Sequence, residues 1–287
     1  MHFTVLQQDI TTAARTGRLA LPHGTVETPV FMPVGTQASV KALDSADLYR
    51  TGAEIILGNT YHLYLRPGTE VLETFSGIHR FMRWDRPVLT DSGGFQIFSL
   101  SSLNKVSEDG VLFQSSLDGS RHFFSPEKAI EVQRSIGADI IMCLDECTEY
   151  PADYDRAAAS QALTERWARR CKAQWERQDT EAQSLFAIVQ GSVYESLRRE
   201  SAQAMAALDL PGYAIGGVSV GESKEEMERA VEWSTALLPR DKPRYLMGVG
   251  APEDLLKAIF HGVDMFNRRP WRHQHQECAF CPGPGPD

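Results

Sequence analysis

The chain has 287 residues and a mass of 32.0 kDa, which fits one large domain with insertions better than two independent domains. Its net charge of −9 excludes a bulk basic surface for nucleic acid, although a local basic patch would still serve. Residues 1–22 hold no continuous apolar core and no run reaches membrane-span length, so we expect a cytoplasmic protein without membrane contact and with reduced cysteines.

Eight apolar runs of strand length follow one another along the chain, separated by loops or helix-like segments. They cover residues 29–34, 54–57, 87–90, 139–144, 185–189, 213–215, 244–247 and 263–266. Two helix starts lie between them, because Ser125 is an N-cap before Pro126 and Ser223 forms a capping box with Glu226. A long polar helix is expected within residues 153–181, and residues 105–119 predict a β-hairpin with Asp-Gly turns. Strands that alternate with helices in this way predict an α/β fold, the (β/α)8 TIM barrel.

Most of the eight runs end at or near a polar residue or a glycine. The third run ends in Asp91, and Gly93 and Gly94 follow, which let the backbone approach a flat ligand closely. A single aspartate in a strand-to-loop turn has a simpler structural interpretation. Polar strand ends recur at Asp145 and Gln190, however, and a barrel collects such ends on the face that carries its chemistry.

The side chains at these strand ends suit a flat heterocycle with an amide-like edge. Asp145 offers carboxylate acceptors, Gln190 offers an amide, and Gly216-Gly217 exposes backbone groups. Guanine fits this inventory, because its N1–H and its exocyclic amine both need acceptors. Its ring faces would be covered by Phe95 or Met247. A divalent metal at the barrel mouth is the alternative, but no histidine-containing cluster at metal-ligand spacing supports it.

Several long motifs together resemble the tRNA-guanine transglycosylase family, the queuine tRNA-ribosyltransferases. They are FMPVGT at residues 31–36, LGNTYHL at 57–63, LRPG at 65–68, LTDSGGFQ at 89–96, DECT at 145–148, VQGS at 189–192, GGVSVGE at 216–222 and RYLMGVG at 244–250. The resemblance runs in order from about Phe3 to Phe266. The motifs at 145–148 and 218–222 look bacterial.

The resemblance implies an enzyme that exchanges guanine at the tRNA anticodon wobble position for a 7-deazaguanine, prequeuine, on the route to queuosine. It implies that Asp91 is the general acid and base, and that the enzyme is a homodimer. The residues implied to bind or shape the pocket for guanine or 7-deazaguanine are Ser92, Gly93, Gly94, Phe95, Asp145, Gln190, Gly216, Gly217 and Met247. Those implied to contact the tRNA are Gly248, Val249, Gly250, Ala251, Pro252, Glu253 and Asp254.

One catalytic position departs from the family pattern. Base exchange with retained configuration at the ribose carbon calls for double displacement, in which one carboxylate attacks and a second group moves the proton. In the family an aspartate directly after Met-Phe is the nucleophile, whereas here Asn267 follows Met265-Phe266. A neutral amide cannot readily form the covalent ribosyl intermediate, so we expect very low turnover.

After Asn267 the resemblance ends. Residues 268–287 contain no Ile, Leu, Val or Met, so we expect a divergent, disordered tail beside a TIM-barrel domain of residues 1–267. The family's basic tRNA loop and the C-terminal segment that binds its structural zinc are expected to be missing, which leaves no zinc ligands of the family type. Cys278 and Cys281 form a C-x-x-C without a surrounding core. A truncated or frameshifted reading frame is the favoured interpretation.

Two other interpretations of the sequence remain open. The chain can be a non-catalytic protein that holds a base or pairs with an active subunit, which guanine binding without exchange would indicate. A lyase or aldolase barrel would need a Schiff-base lysine or a phosphate site at the strand ends, and neither is evident in the sequence.

Overall fold

The computed structural model describes residues 1–100, 104–177 and 179–268. In chain order its strands are β1 (His2–Gln8), β2 (Arg15–Leu21), β3 (Gly24–Thr28), β4 (Val30–Phe31), β5 (Ile56–Gly58), β6 (Val88–Thr90), β7 (Asn104–Ser107), β8 (Gly110–Gln114), β9 (Arg121–Phe124), β10 (Ile140–Met142), β11 (Ser184–Val189), β12 (Gly212–Ile215), β13 (Arg244–Leu246) and β14 (Met265–Phe266). The helices are α1 (Ser45–Arg50), α2 (Thr60–Leu65), α3 (Thr69–Thr74), α4 (Ile78–Met82), α5 (Gly94–Leu100), α6 (Pro126–Ile136), α7 (Tyr154–Trp175), α8 (Glu195–Ala206), α9 (Lys224–Thr235) and α10 (Pro252–Phe260).

Eight parallel strands form a closed barrel. Their order is β4-β14-β13-β12-β11-β10-β6-β5, and each neighbouring pair is parallel. The two end strands meet just beyond β4, where Gly35 N donates to Leu57 O at 2.7 Å and Leu57 N donates to Pro33 O at 2.9 Å. All eight predicted strands are present, so the predicted (β/α)8 barrel is confirmed.

The barrel strands are buried on both faces, which explains why the sequence reads as continuous apolar runs. In β11 the side chains alternate between two clusters. Phe186 and Ile188 pack inside the barrel, whereas Leu185, Ala187 and Val189 pack against the surrounding helices. Burial from both sides holds each strand end in a fixed position, and therefore also the residues that follow it.

An antiparallel sheet of β1, β2 and β3 covers the amino-terminal end of the barrel, and the sequence analysis did not predict it. Leu19, Leu21 and Val26 from this sheet belong to the same buried cluster as the interior barrel residue Met142. Buried and exposed positions alternate along β2, but the sequence does not show this as alternating apolar and polar residues, because two of the buried positions are Arg15 and Gly17. The sheet closes the end of the barrel opposite the carboxyl ends of the strands.

Both predicted helix starts and the long helix are confirmed. The Ser125 side chain caps α6, and the capping box of α9 has both of its hydrogen bonds. Helix α7 covers Tyr154–Trp175, within the predicted range of residues 153–181. Arg134 Nη2 donates to Trp175 O at 2.7 Å, which satisfies a carbonyl at the helix end. The predicted hairpin is present as β7 and β8, and β9 adds a third strand to it.

Replacing Arg15 by methionine is expected to lower the free energy of unfolding by about 3–5 kcal/mol, because it leaves the buried Asp264 carboxylate without its partner. Arg15 Nε and Nη2 donate to the two oxygens of Asp264 at 2.9 and 2.6 Å and join β2 to the start of β14. The matched control is Arg18→Met, whose exposed pair with Glu27 contributes less than about 1 kcal/mol. Urea unfolding measures both, and equal losses would contradict the argument.

Candidate active site

A cavity of about 510 Å³ opens at the carboxyl ends of the barrel strands. Its lining includes nine of the residues named by the sequence analysis: Asp91, Ser92, Phe95, Asp145, Gly216, Gly217, Met247, Gly248 and Asn267. Gly93 and Gly94 lie behind this lining. A methyl group on Gly94 would lie 2.6 Å from the backbone oxygen of Asp145, so a larger residue would separate the two loops. The loops after β6, β10, β12, β13 and β14 thus converge on one space.

Asp91 directly follows β6 and is held by four donors. Thr60 N and Gly93 N donate to its Oδ1 at 2.8 and 3.2 Å, while Gln96 Nε2, at 2.9 Å, and Asn59 Nδ2 donate to its Oδ2. Burial raises the pKa of Asp91 above its ordinary value, and the hydrogen bonds from Asn59, Thr60 and Gln96 oppose that rise. A fixed carboxyl with a raised pKa is suited to general acid and base catalysis.

His62 stands near Asp91 on the cavity wall, a position that sequence reasoning missed. The sequence analysis gave this residue no functional role. Burial lowers the pKa of His62, and the Asp91 charge opposes the change. One sequence signal could have indicated a role for His62. It lies in the first turn of α2, the helix that begins directly after the strand-end residue Asn59.

Asp145 is oriented by side chains from two other loops. Ser92 Oγ donates to its Oδ1 at 2.8 Å, and Gln190 Nε2 donates to its Oδ2 at 2.7 Å. Gln190 is buried, and its Oε1 has no hydrogen-bond partner within the described parts of the chain. This oxygen has no exposed surface and Gln190 does not line the cavity, so the contact that Gln190 makes toward the site is the hydrogen bond that orients Asp145.

Arg198 fixes the glycine pair next to this network, and sequence reasoning missed it as well. Its guanidinium donates to the carbonyls of Gly216 at 2.7 Å, Gly217 at 2.9 Å and Ser192 at 2.7 Å. Burial lowers the pKa of Arg198 to about 10. Gly217 has a φ of 61°, and a methyl group there would lie 2.1 Å from Gln190 Oε1. Arg198 lies on the buried stripe of α8, which could have indicated an inward-facing role.

Asn267 directly follows β14 and faces the cavity. Tyr245 Oη and Gly248 N both donate to its Oδ1, each at 2.8 Å. The side chain is therefore oriented by one hydroxyl and one backbone amide. A carboxylate at the same position would find the same two donors for one of its oxygens.

The stretch expected to contact tRNA begins in a loop and continues into a helix. Gly248 and Val249 are buried, and Pro252 begins α10. Glu253 is exposed, whereas Asp254 is buried and forms an ion pair with Lys224. The exposed Arg268 lies against Gly250 and also lines the cavity. The structure thus places the two ends of this stretch in different surroundings.

A family model described as queuine tRNA-ribosyltransferase matches residues 9–281, nearly the whole chain. The chain belongs to the queuine tRNA-ribosyltransferase family. It is 58% identical over 267 residues to a queuine tRNA-ribosyltransferase of Caldanaerobacter subterraneus subsp. tengcongensis, and 57% identical over the same length to one of Halothermothrix orenii. Each alignment covers 93% of this chain and 71% of the relative. The resemblance inferred from the motifs is confirmed, and by family the chain is a pentosyltransferase.

Three expectations about the end of the chain stay predictions. The family match continues past Asn267 into a segment of which residues 269–287 lie outside the described residues. The expected tail, the boundary at residue 267 and the absence of the family's zinc ligands therefore stay expectations, and Cys278 and Cys281 lie in the same undescribed segment. Among the helices that the structure describes, none is long and apolar enough to cross a membrane.

Proposed function

We propose that the cavity binds guanine or a 7-deazaguanine base. The observation that carries this proposal is the Asp145 carboxylate, which lines the cavity and is held by Ser92 and Gln190. A guanine-type edge supplies N–H donors for this carboxylate. Phe95 and Met247 stand on the lining where they can cover the ring.

We further propose that the bound base is the one exchanged at the wobble guanosine of a tRNA, with prequeuine as the incoming base. The family membership, the bacterial relatives and the convergence of Asp91 and Asn267 on one cavity support this substrate class. Asp91 would protonate the leaving guanine and deprotonate the incoming base. Residues 248–254 would contact the tRNA, and a second copy of the chain would complete a homodimer.

The amide at position 267 sets the expected level of activity. In double displacement an anionic oxygen attacks the ribose carbon, and the base leaves with a proton. Asn267 supplies no anionic oxygen, and its Oδ1 already accepts from Tyr245 and Gly248. Loss of a covalent nucleophile costs on the order of 10⁴–10⁶ in rate, so we propose an impaired exchange enzyme.

The same observation favours a second candidate function, a base-binding protein without catalysis. Asp145 is held by donors from Ser92 and Gln190, while the nucleophile position is a neutral amide. Guanine binding without measurable incorporation into tRNA would favour this candidate over the impaired enzyme.

Replacing Asp145 by asparagine is expected to weaken guanine binding by about tenfold to a hundredfold, because a charge-assisted hydrogen bond contributes about 1.5–3 kcal/mol. The fold should persist, because the asparagine oxygen can still accept a hydrogen bond from Ser92. The asparagine Nδ2 can donate to Gln190 Oε1 once the Gln190 side-chain amide has rotated by half a turn. Equilibrium dialysis with labelled guanine measures the change. The control is Asp118→Asn in the exposed hairpin, which removes the same charge elsewhere. Unchanged binding by the Asp145 variant would refute the proposed base site.

A further inference from the structure

Three side chains of metal-ligating types meet at the end of the barrel opposite the cavity. His23 comes from the turn between β2 and β3, His79 from α4, and Asp139 directly precedes β10. His23 Nδ1 lies 2.8 Å from Asp139 Oδ1, and His79 Nε2 lies 3.0 Å from Asp139 Oδ2. The two imidazole rings are stacked with their centroids 3.5 Å apart. Ligand atoms of the three residues all lie within 4.8 Å of one another.

The electrostatic surroundings of Asp139 call for a positive charge. Its side chain is fully buried, and among the described residues the two histidines are its only ion-pair partners within 4.0 Å. Val88 N and His23 N donate to the Asp139 carboxylate, and one ring nitrogen of each imidazole lies within 3.0 Å of it. Buried carboxylates are normally paired with a positive charge or bound to a metal.

We propose that His23, His79 and Asp139 form a binding site for a divalent transition-metal ion, with zinc the best-suited ion. Two imidazoles and one carboxylate, completed by a water, are a common zinc ligand set. Ligands of a tetrahedral zinc, each at 2.0–2.2 Å from the ion, lie about 3.4 Å apart, so each imidazole must withdraw by about half an ångström. The two stacked rings must also turn out of their near-parallel arrangement, so that both ring nitrogens point at the ion. The ion replaces both N–H···O hydrogen bonds, and the proton of each imidazole moves from the ligating nitrogen to the other ring nitrogen.

The surroundings of the three ligands permit that adjustment. The His23 side chain is 42% exposed and lies in a turn, so it can move and also gives the ion a path from solvent. Two backbone amides orient the Asp139 carboxylate, because Val88 N donates to its Oδ2 at 2.9 Å and His23 N donates to its Oδ1 at 3.1 Å. Such outer hydrogen bonds orient a ligating carboxylate.

The position of the site assigns a stabilising role to the ion. It would fasten the amino-terminal sheet, α4 and the barrel strand β10 to one another, at the end of the barrel away from the cavity. No spacing in the sequence marks this site, because these three residues are 56 and 60 positions apart and only the fold brings them together.

The test measures zinc and cobalt binding to the full chain in a Cys278→Ser, Cys281→Ser background, which removes the thiols of the tail. After chelator treatment and dialysis, we expect one bound equivalent, cobalt absorption bands of a nitrogen and oxygen site, and a higher Tm with zinc present. His23→Gln should weaken binding on the order of 100-fold and remove the Tm shift, while its exposed side chain keeps the fold intact.

The matched control is His2→Gln, which removes an exposed histidine from the same sheet and should leave binding unchanged. His79→Gln removes the second imidazole ligand, which lies on α4, and should weaken zinc binding as His23→Gln does. Equal zinc binding by the background protein and by His23→Gln would overturn the proposal. So would the absence of a bound equivalent in a background protein whose circular dichroism shows an intact fold.

Discussion

Replacing Asn267 by aspartate is expected to raise the rate of guanine exchange into tRNA by on the order of 10⁴–10⁶. The substitution adds the anionic oxygen that double displacement requires and changes almost nothing in shape. Tyr245 Oη and Gly248 N, each 2.8 Å from Asn267 Oδ1, would hold one carboxylate oxygen. The second oxygen would then be the attacking atom.

The measurement uses labelled guanine and an unmodified tRNA with a wobble guanosine, with the tail of the chain left in place. A second readout is a covalent protein–RNA adduct that survives denaturing electrophoresis, which only the aspartate variant should form. Gln8→Glu adds the same charge at an exposed position of β1 and should leave the rate unchanged. Peptide mass spectrometry gives the fraction of parent protein deamidated at position 267, because deamidation would itself create the missing carboxylate.

Two results would contradict this assignment. Exchange by an undeamidated parent at the rate of the variant would show that another group is the nucleophile. Failure of the variant to exchange, although it binds both guanine and tRNA, would show that the amide does not limit turnover. An active variant without activity in the parent would favour an intact barrel with one altered catalytic group.

The sequence predicted the barrel because its strands are buried on both faces. A strand such as β11 has apolar residues at nearly every position, so its run is visible without knowledge of its neighbours. The polar residues at the strand ends could be gathered on one face for the same reason. Once the strands are parallel, the carboxyl end of each must lie beside the others, and Asp91, Asp145 and Asn267 do line one cavity.

What the sequence could not predict depends on contacts between distant segments. The inward positions of β2 include Arg15, which is buried only because Asp264 meets it from the start of β14. Arg198 lies on the buried stripe of α8, but its carbonyl partners come from three other segments of the chain and only the fold shows them. His23 and His79 show no spacing signal, since Asp139 joins them from a third part of the chain.

Asp91→Asn in the Asn267→Asp background is expected to lower the exchange rate by about 10²–10⁴, the usual contribution of a general acid or base. The amide cannot give or take the proton of the departing or incoming base. Guanine affinity should stay within about threefold, because the base is held by Asp145 and Gln190 rather than by Asp91. Asp109→Asn in the exposed hairpin is the control for the loss of one negative charge.

The free energy of unfolding separates this catalytic role from a structural one. Burial raises the folded-state pKa of Asp91, so the folded state binds the proton more tightly than the unfolded state. Its ionisation therefore lowers stability as pH rises from the ordinary value of 3.8 through the raised pKa, and the whole penalty is present at neutral pH. Asparagine removes this penalty, and its Oδ1 keeps the donors Thr60 N and Gly93 N. Its Nδ2 can donate to Gln96 Oε1 once the Gln96 amide turns over, and the Asn59 amide must turn in the same way. We expect stability at pH 7 to be unchanged or higher while exchange is lost. A variant that loses stability and exchange together would show that Asp91 holds the loop rather than moves the proton.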